Sequence, residues 1–342
     1  MSNIAIMFSF SVLSFILWMI LIPKYIKILS KFEIWQKIRK NAAIWKALKF
    51  YKLHEKKEWT PTMWGLIILI LLLFMVIVSV FLQKLGFINH SLFNRNETYL
   101  SLFTLISVWM VGMIDDIMNI KNIWKKWMSI KFKFIWIIIL ASLWSIWFYY
   151  KLWWENYSLD LLFLWQYNIW IWFIPLYILL FISITNSVNI TDWLDWLAWW
   201  LLLMCYSTYV FITYNQGMFL LSTLCITIVW VLISFLWFNV KPAQCYMWDV
   251  WSLALWANLW VMAMLTNTML IFLIISFLFI CNTISVILQL SSKKLRNNKK
   301  IFHIAPFHHH LEAIWRNEET IVFRFWILQI VLTIIAITVY IL

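Results

Sequence analysis

Glycine is nearly absent, at 4 of 342 residues. Ordinary usage is roughly 7%, so about two dozen would be expected. Charge is scarce as well, with Asp, Glu, Lys and Arg at 12% of the chain. That excludes a soluble globule, which carries about twice as much. The 4 cysteines, Cys205, Cys225, Cys245 and Cys281, lie in or beside apolar segments and show no CxxC spacing. They read as core filler rather than as a disulfide framework or a metal site. No Walker A loop, GxSxG or HExxH motif is present. Nor does the chain show a repeat of fixed period, a low-complexity linker or a soluble domain.

What it has instead is hydrocarbon and indole. Hydrophobic residues make up 65%, and there are 28 Trp. The pattern predicts an all-α polytopic membrane protein with about ten spans. They fall at 4–22, 63–83, 98–114, 133–150, 168–186, 195–213, 218–238, 250–266, 268–290 and 321–341, the eighth being weak. The run from Ile4 to Pro23 lacks a small-residue cleavage site and reads as a retained first span. Residues 1–342 then form a single integral membrane domain.

Basic residues orient the spans. The first connection holds eleven, from Lys24 to Lys57. The third holds Lys121, Lys125, Lys126 and Lys131, with Lys133 just inside the next span. The ninth holds Lys293, Lys294, Arg296, Lys299, Lys300 and Arg316. Even-numbered connections are nearly bare, so odd ones are cytoplasmic and both termini face outward. Every cluster with chemical potential then falls on the cytoplasmic face.

Those clusters are few. Asn186, Asn189, Asp192 and Asp195 recur every three residues, which on a helix or helical turn puts them on one face. Ionisable groups at membrane depth are costly and mark cavities. Asp115 and Asp116 end the third span, where carboxylates are disfavoured by the helix dipole. A lone acidic pair is usually a solvated helix end, but apolar surroundings argue for a role with Mg²⁺ or a proton. Asp249 is the only acid between Asp195 and Glu312. His308, His309 and His310 cannot all face one metal from a helix, so phosphate or sugar contact fits better than zinc. Lys57 precedes Thr60-Pro-Thr62 at the second span. By itself it is one basic residue among eleven. Together these groups suggest Mg²⁺-dependent phosphate chemistry at the membrane, rather than a transporter with acids at mid-span.

Eight stretches carry a resemblance. They are Thr60-Pro-Thr-Met63, Gly112-Met-Ile-Asp-Asp116, Asn186 to Ala198, Phe235-Leu-Trp-Phe-Asn239 with Pro242-Ala243, Asp249 to Leu255, Ser285-Val-Ile-Leu-Gln289, Ala305-Pro-Phe-His-His-His310 and Arg324-Phe-Trp326. In order and nearly end to end, they resemble the phospho-N-acetylmuramoyl-pentapeptide transferases, within the wider polyprenyl-phosphate N-acetylhexosamine-1-phosphate transferases. The Ala-Pro-Phe-His-His-His form favours the muramoyl branch over the GlcNAc-1-phosphate branch. The resemblance implies ten transmembrane helices in the plasma membrane, a cytoplasmic active site and no nucleic-acid partner. It implies transfer from UDP-MurNAc-pentapeptide to undecaprenyl phosphate in the bilayer, giving lipid I and UMP, with Mg²⁺ as cofactor and a homodimer as the assembly. By motif, Asp249 corresponds to the Mg²⁺ ligand, with Asp192 a second candidate. Asp115 and Asp116 correspond to the pair serving the lipid phosphate, Asp115 being the better base. Asn186, Asn189, Asp192 and Asp195 correspond to nucleotide-site and catalytic residues. Lys57, Thr62 and His308 to His310 correspond to diphosphate and uridine contacts.

The chain departs from that pattern in places. Asn119 stands for a usual Lys and Asn282 for a frequent Glu, and a basic stretch, 41–53, replaces a shorter loop. Trp59, Trp64, Trp109, Trp127, Trp193, Trp196, Trp248, Trp251, Trp256, Trp260 and Trp315 stand where the family has Gly, whereas Trp237 and Trp326 stand where it has Trp. Drift does not exchange the smallest residue for the bulkiest so selectively. The pattern reads as UGA codons that encode glycine but are translated as tryptophan. The alternative is an inactive paralogue, against which the surviving acids and His run argue.

Overall fold

A computed structural model describes residues 3–32, 65–93, 96–120, 126–151, 158–160, 166–168, 172–240, 243–244, 249–315 and 317–342. Its helices are α1 (Asn3–Lys31), α2 (Gly65–Lys84), α3 (Asn96–Ile120), α4 (Lys126–Lys151), α5 (Phe173–Thr191), α6 (Leu197–Asn215) and α7 (Phe219–Asn239). They continue with α8 (Asp249–Leu265), α9 (Met269–Ile275), α10 (Phe277–Leu295), α11 (Phe307–Trp315) and α12 (Glu318–Ile341). Between α4 and α5, β1 (Ser158–Asp160) pairs antiparallel with β2 (Gln166–Asn168). This short hairpin is the one departure from all-α among the described residues. Helix dominates because a chain in hydrocarbon has to satisfy its own backbone groups.

Among the described residues, eight helices are long and apolar enough to cross a bilayer. The two remaining expected spans differ from straight crossings. α9 and α10 form a pair bent by 71°, and the apolar part of α8, Val250–Leu265, is too short to qualify. Both departures have a physical reason. From Val250 to Leu265 α8 is buried, so its neighbours and not lipid set its surroundings. At the α9–α10 break, the carbonyl of Ile275 receives Gln329 Nε2 from α12 at 2.9 Å and Cys205 Sγ from α6 at 3.4 Å. Side chains thereby satisfy a carbonyl at the helix end.

α3 and α8 run antiparallel, tied by Asn258 Nδ2 to the Ser101 carbonyl at 2.9 Å. Asn258 Oδ1 in turn accepts the Tyr206 hydroxyl of α6 at 3.1 Å. Buried polar links of this kind hold helices together where lipid is as apolar as leucine. α4 turns back along α3, with Phe103 on Trp144 toward one end and Lys133 on Asp115 toward the other. α5 returns along α4 from a contact between Phe148 and Tyr177. The C-terminal ends of α3 and α5 and the start of α8 therefore share one end of the bundle. On the outside, Phe8, Val12 and Ile16 of α1 and Ile327, Val331 and Ile334 of α12 are exposed. Those faces suit lipid tails.

Candidate active site

At the shared end, Asp115 and Asp116 are completely buried. Asp115 forms an ion pair with Lys133 Nζ of α4 at 2.9 Å. Asp116 Oδ2 accepts the backbone N–H of Val250 at 3.1 Å. The third span thus ends on two carboxylates held by two different helices, and not at a solvated end. Lys133 was legible only as a positive-inside residue, because its pairing with Asp115 depends on the α3–α4 packing.

That bond to Val250 also brings the start of α8 to Asp116. Asp249 is the first residue of α8, and its side chain lies outside the described residues, as do Lys57 and Thr62. Among the described residues no group of three His, Cys, Asp or Glu stands ready to hold a metal ion. The carboxylates of Asp115 and Asp116 are nonetheless donors of the hard type that Mg²⁺ takes.

α5 ends at Thr191, and residues 192–196 form a turn. The three-residue spacing therefore marks one helical face only through Asn189, and Asp192 and Asp195 are placed by the turn. Asn186 Nδ2 donates back to the Ile182 carbonyl at 2.8 Å. Asn189 and Asp192 are half-buried and Asp195 is buried. The turn is clamped at two successive amides. The Asp195 N–H donates to Glu318 Oε1 of α12 at 3.0 Å, and the Trp196 N–H to Asn239 Oδ1 of α7 at 2.9 Å. Trp196 itself is left-handed, with φ 61° and ψ −7°. For a bulky residue that conformation costs roughly 1–2 kcal/mol. Its ring packs edge-on against Trp326, while Trp193 is exposed.

The histidines line up on α11. His308 and His309 are buried and His310 is half-buried. Asn282 of α10 organises the first: its Oδ1 lies 3.3 Å from the His308 backbone N and 3.2 Å from His308 Nδ1. The same Asn282 donates to Thr191 Oγ1 at 3.2 Å, joining α5 to the His run. Glu312 Oε2 stands 2.8 Å from His309 Nδ1. His310 Nδ1 accepts the His303 N–H at 3.1 Å, and burial, then His303, hold His310 below the usual histidine range. Glu318, Asn239 and Asn282 are site residues that spacing alone did not single out, since each acts across elements or from a helix end, whereas Glu312 lies three residues after His309 on the same helix, an i,i+3 spacing the sequence does carry.

This end of the bundle therefore gathers paired acids, a clamped acidic turn and a histidine helix, a constellation suited to binding and transferring phosphate groups. Residues 98–267 match the model of glycosyl transferase family 4. The chain is 32% identical over 326 residues to the phospho-N-acetylmuramoyl-pentapeptide-transferase of Clostridium perfringens, covering 95% of this chain and 96% of the relative. It is 35% identical over 304 residues to the enzyme of that name from Aquifex aeolicus, covering 83% and 80%. A third, from a Geobacillus strain, is 30% identical over 322 residues, covering 92% of each chain.

Proposed function

The chain belongs to glycosyl transferase family 4, among the phospho-N-acetylmuramoyl-pentapeptide transferases, and on that premise we propose that it makes lipid I. It is an enzyme that moves phospho-N-acetylmuramoyl-pentapeptide from UDP to undecaprenyl phosphate and releases UMP. An oxygen of the lipid phosphate forms a bond to the sugar-linked phosphorus. The phosphoanhydride bond breaks, and its electron pair leaves with UMP. The observation that carries this reading is the meeting of Asp115, Asp116, the start of α8, the 192–196 turn and the His run at one end of the bundle.

Within it the residues have distinct tasks. Asp115 serves as base toward the lipid phosphate, with Lys133 holding its carboxylate in place. Asp116 and Asp249 lie at the same junction, and Asp249, with Asp192 as second ligand, would hold Mg²⁺. When bound, that ion supplies charge neutralisation to the diphosphate. The turn orients Asp192 and Asp195 toward the nucleotide with Asn186 and Asn189 behind them, and His308 to His310, Lys57 and Thr62 contact the diphosphate and uridine. The whole operates as one integral domain, dimeric, in the plasma membrane with this end cytoplasmic, as the Lys and Arg bias of the odd connections supports.

The names of the relatives favour the muramoyl substrate over UDP-GlcNAc. The test is lipid-linked product and UMP release by membranes carrying the chain, with each sugar nucleotide in turn. Product from UDP-MurNAc-pentapeptide alone is expected, and product from UDP-GlcNAc alone would reverse the assignment.

A further inference from the structure

Among the described residues, the left-handed region is used at six positions. Gly86, Gly217, Asn267, Asn297 and Asn298 are residue types that accept it, and Trp196 is the exception. The edge-on contacts of its ring with Phe323 and Trp326 do not require a left-handed backbone. In that conformation its own amide is held by Asn239 and the amide before it by Glu318. Its indole N–H is buried without an acceptor among the described residues.

A second observation comes from α8. Ser252, Trp256 and Trp260 are four residues apart and form one stripe of a helix that is buried from Val250 to Leu265. Buried helices in membranes place small residues on such stripes, because close backbone approach replaces the missing hydrophobic drive. Here Trp256 stands between α8 and Phe272 and Phe279 of α9 and α10, while Trp260 stands between α8 and Tyr177 of α5. With glycine at both positions the stripe reads small-xxx-small-xxx-small. The indole N–H of Trp256, like that of Trp251, has no acceptor among the described residues.

We propose that the polypeptide made in the native host carries glycine at 196, 256 and 260, and by the same codon at 193 and 251. A single reassignment, UGA read as glycine in the host and written as tryptophan in the sequence, accounts for 28 Trp beside 4 Gly. Glycine at 196 takes φ 61° freely and keeps both clamps. Glycine at 193 and 196 removes two indoles from beside Asp192 and Asp195 and leaves room there for a nucleotide diphosphate, while the clamped amides stay with Glu318 and Asn239. The residue identities stand by themselves, whereas the access to a diphosphate rests on the transferase reading.

Two measurements test this separately. Mass spectrometry of peptides spanning 186–200 and 249–265, from the protein purified from native membranes, reads the residues whatever the activity. Glycine masses with UGA codons are expected, and indole masses with UGG codons overturn the proposal. The second compares the chain as written with the Trp193→Gly, Trp196→Gly, Trp251→Gly, Trp256→Gly, Trp260→Gly chain in lipid I synthesis. At least a tenfold gain is expected for the glycine form. Equal rates in two well-folded proteins overturn the access argument. No product from either, with glycine masses in the native peptide, counts against the transferase reading alone.

Discussion

Glu318 accepts a hydrogen bond from the backbone N–H of Asp195 at 3.0 Å, joining residues 123 positions apart. The contact comes from the first turn of α12, where Asn317 caps the helix by accepting from Glu319 N at 3.1 Å. Glu318 thereby positions the turn that carries Asp192 and Asp195. Glu318→Ala removes a charged acceptor worth about 2 kcal/mol, so kcat should fall roughly thirtyfold. Glu318→Gln keeps an acceptor oxygen and should recover most of the rate. If both variants are equally impaired, Glu318 does more than hold the Asp195 amide.

Lys133 and Asp115 form the second test. Lys133→Met leaves a buried carboxylate without this cation, which should cost about 3 kcal/mol in unfolding measured in detergent. Adding Asp115→Asn should restore stability and leave the protein inactive. Recovery of turnover in the double variant would remove Asp115 from the role of base.

Asn282 joins Thr191 to His308. Asn282→Ala should destabilise the fold by about 2 kcal/mol. It should also raise KM for the sugar nucleotide, because the His308 ring loses a hydrogen bond that orients it. An unchanged KM would detach His308 from substrate binding.

His310 supplies a pH dependence. Its ring is held below the usual histidine range by burial and then by His303, and its Nδ1 accepts the His303 N–H. The unfolded chain therefore takes up a proton first, near pH 6.5. Local stability from this group is complete above that value and declines as pH falls through it. The protection factors of amides 301–310, corrected for the pH dependence of intrinsic exchange, should fall on acidification below about pH 6.5, and His310→Gln should flatten the response.

The proposed Mg²⁺ site at the α3–α8 junction makes a metal prediction. Chelation should stop lipid I synthesis, and readdition of Mg²⁺ should restore it. Asp249→Asn should abolish turnover while expression and unfolding stay unchanged. A wild-type rate in that variant would show that the Mg²⁺ ligand lies elsewhere.

Much of this molecule is written in its sequence. Ten apolar runs and the Lys and Arg bias determine an all-α membrane protein, because burying unpaired backbone in hydrocarbon leaves the chain little alternative to helix. The acids, the amides of α5 and the His run are legible because polar groups are so rare in such a chain. Hydropathy marked α8 as a short, weak span but could not tell that protein surrounds it, nor that the chain bends 71° at Ser276, since an apolar run looks the same whether it faces lipid or protein. Only the tertiary structure decided which polar groups meet. Lys133 on Asp115, Glu318 on Asp195 and Asn282 between Thr191 and His308 are contacts between segments distant in the chain, or between neighbouring helices, set by packing. The glycine deficit was visible from composition. Its physical cost became specific only when the 192–196 turn put residue 196 in a conformation that a tryptophan resists.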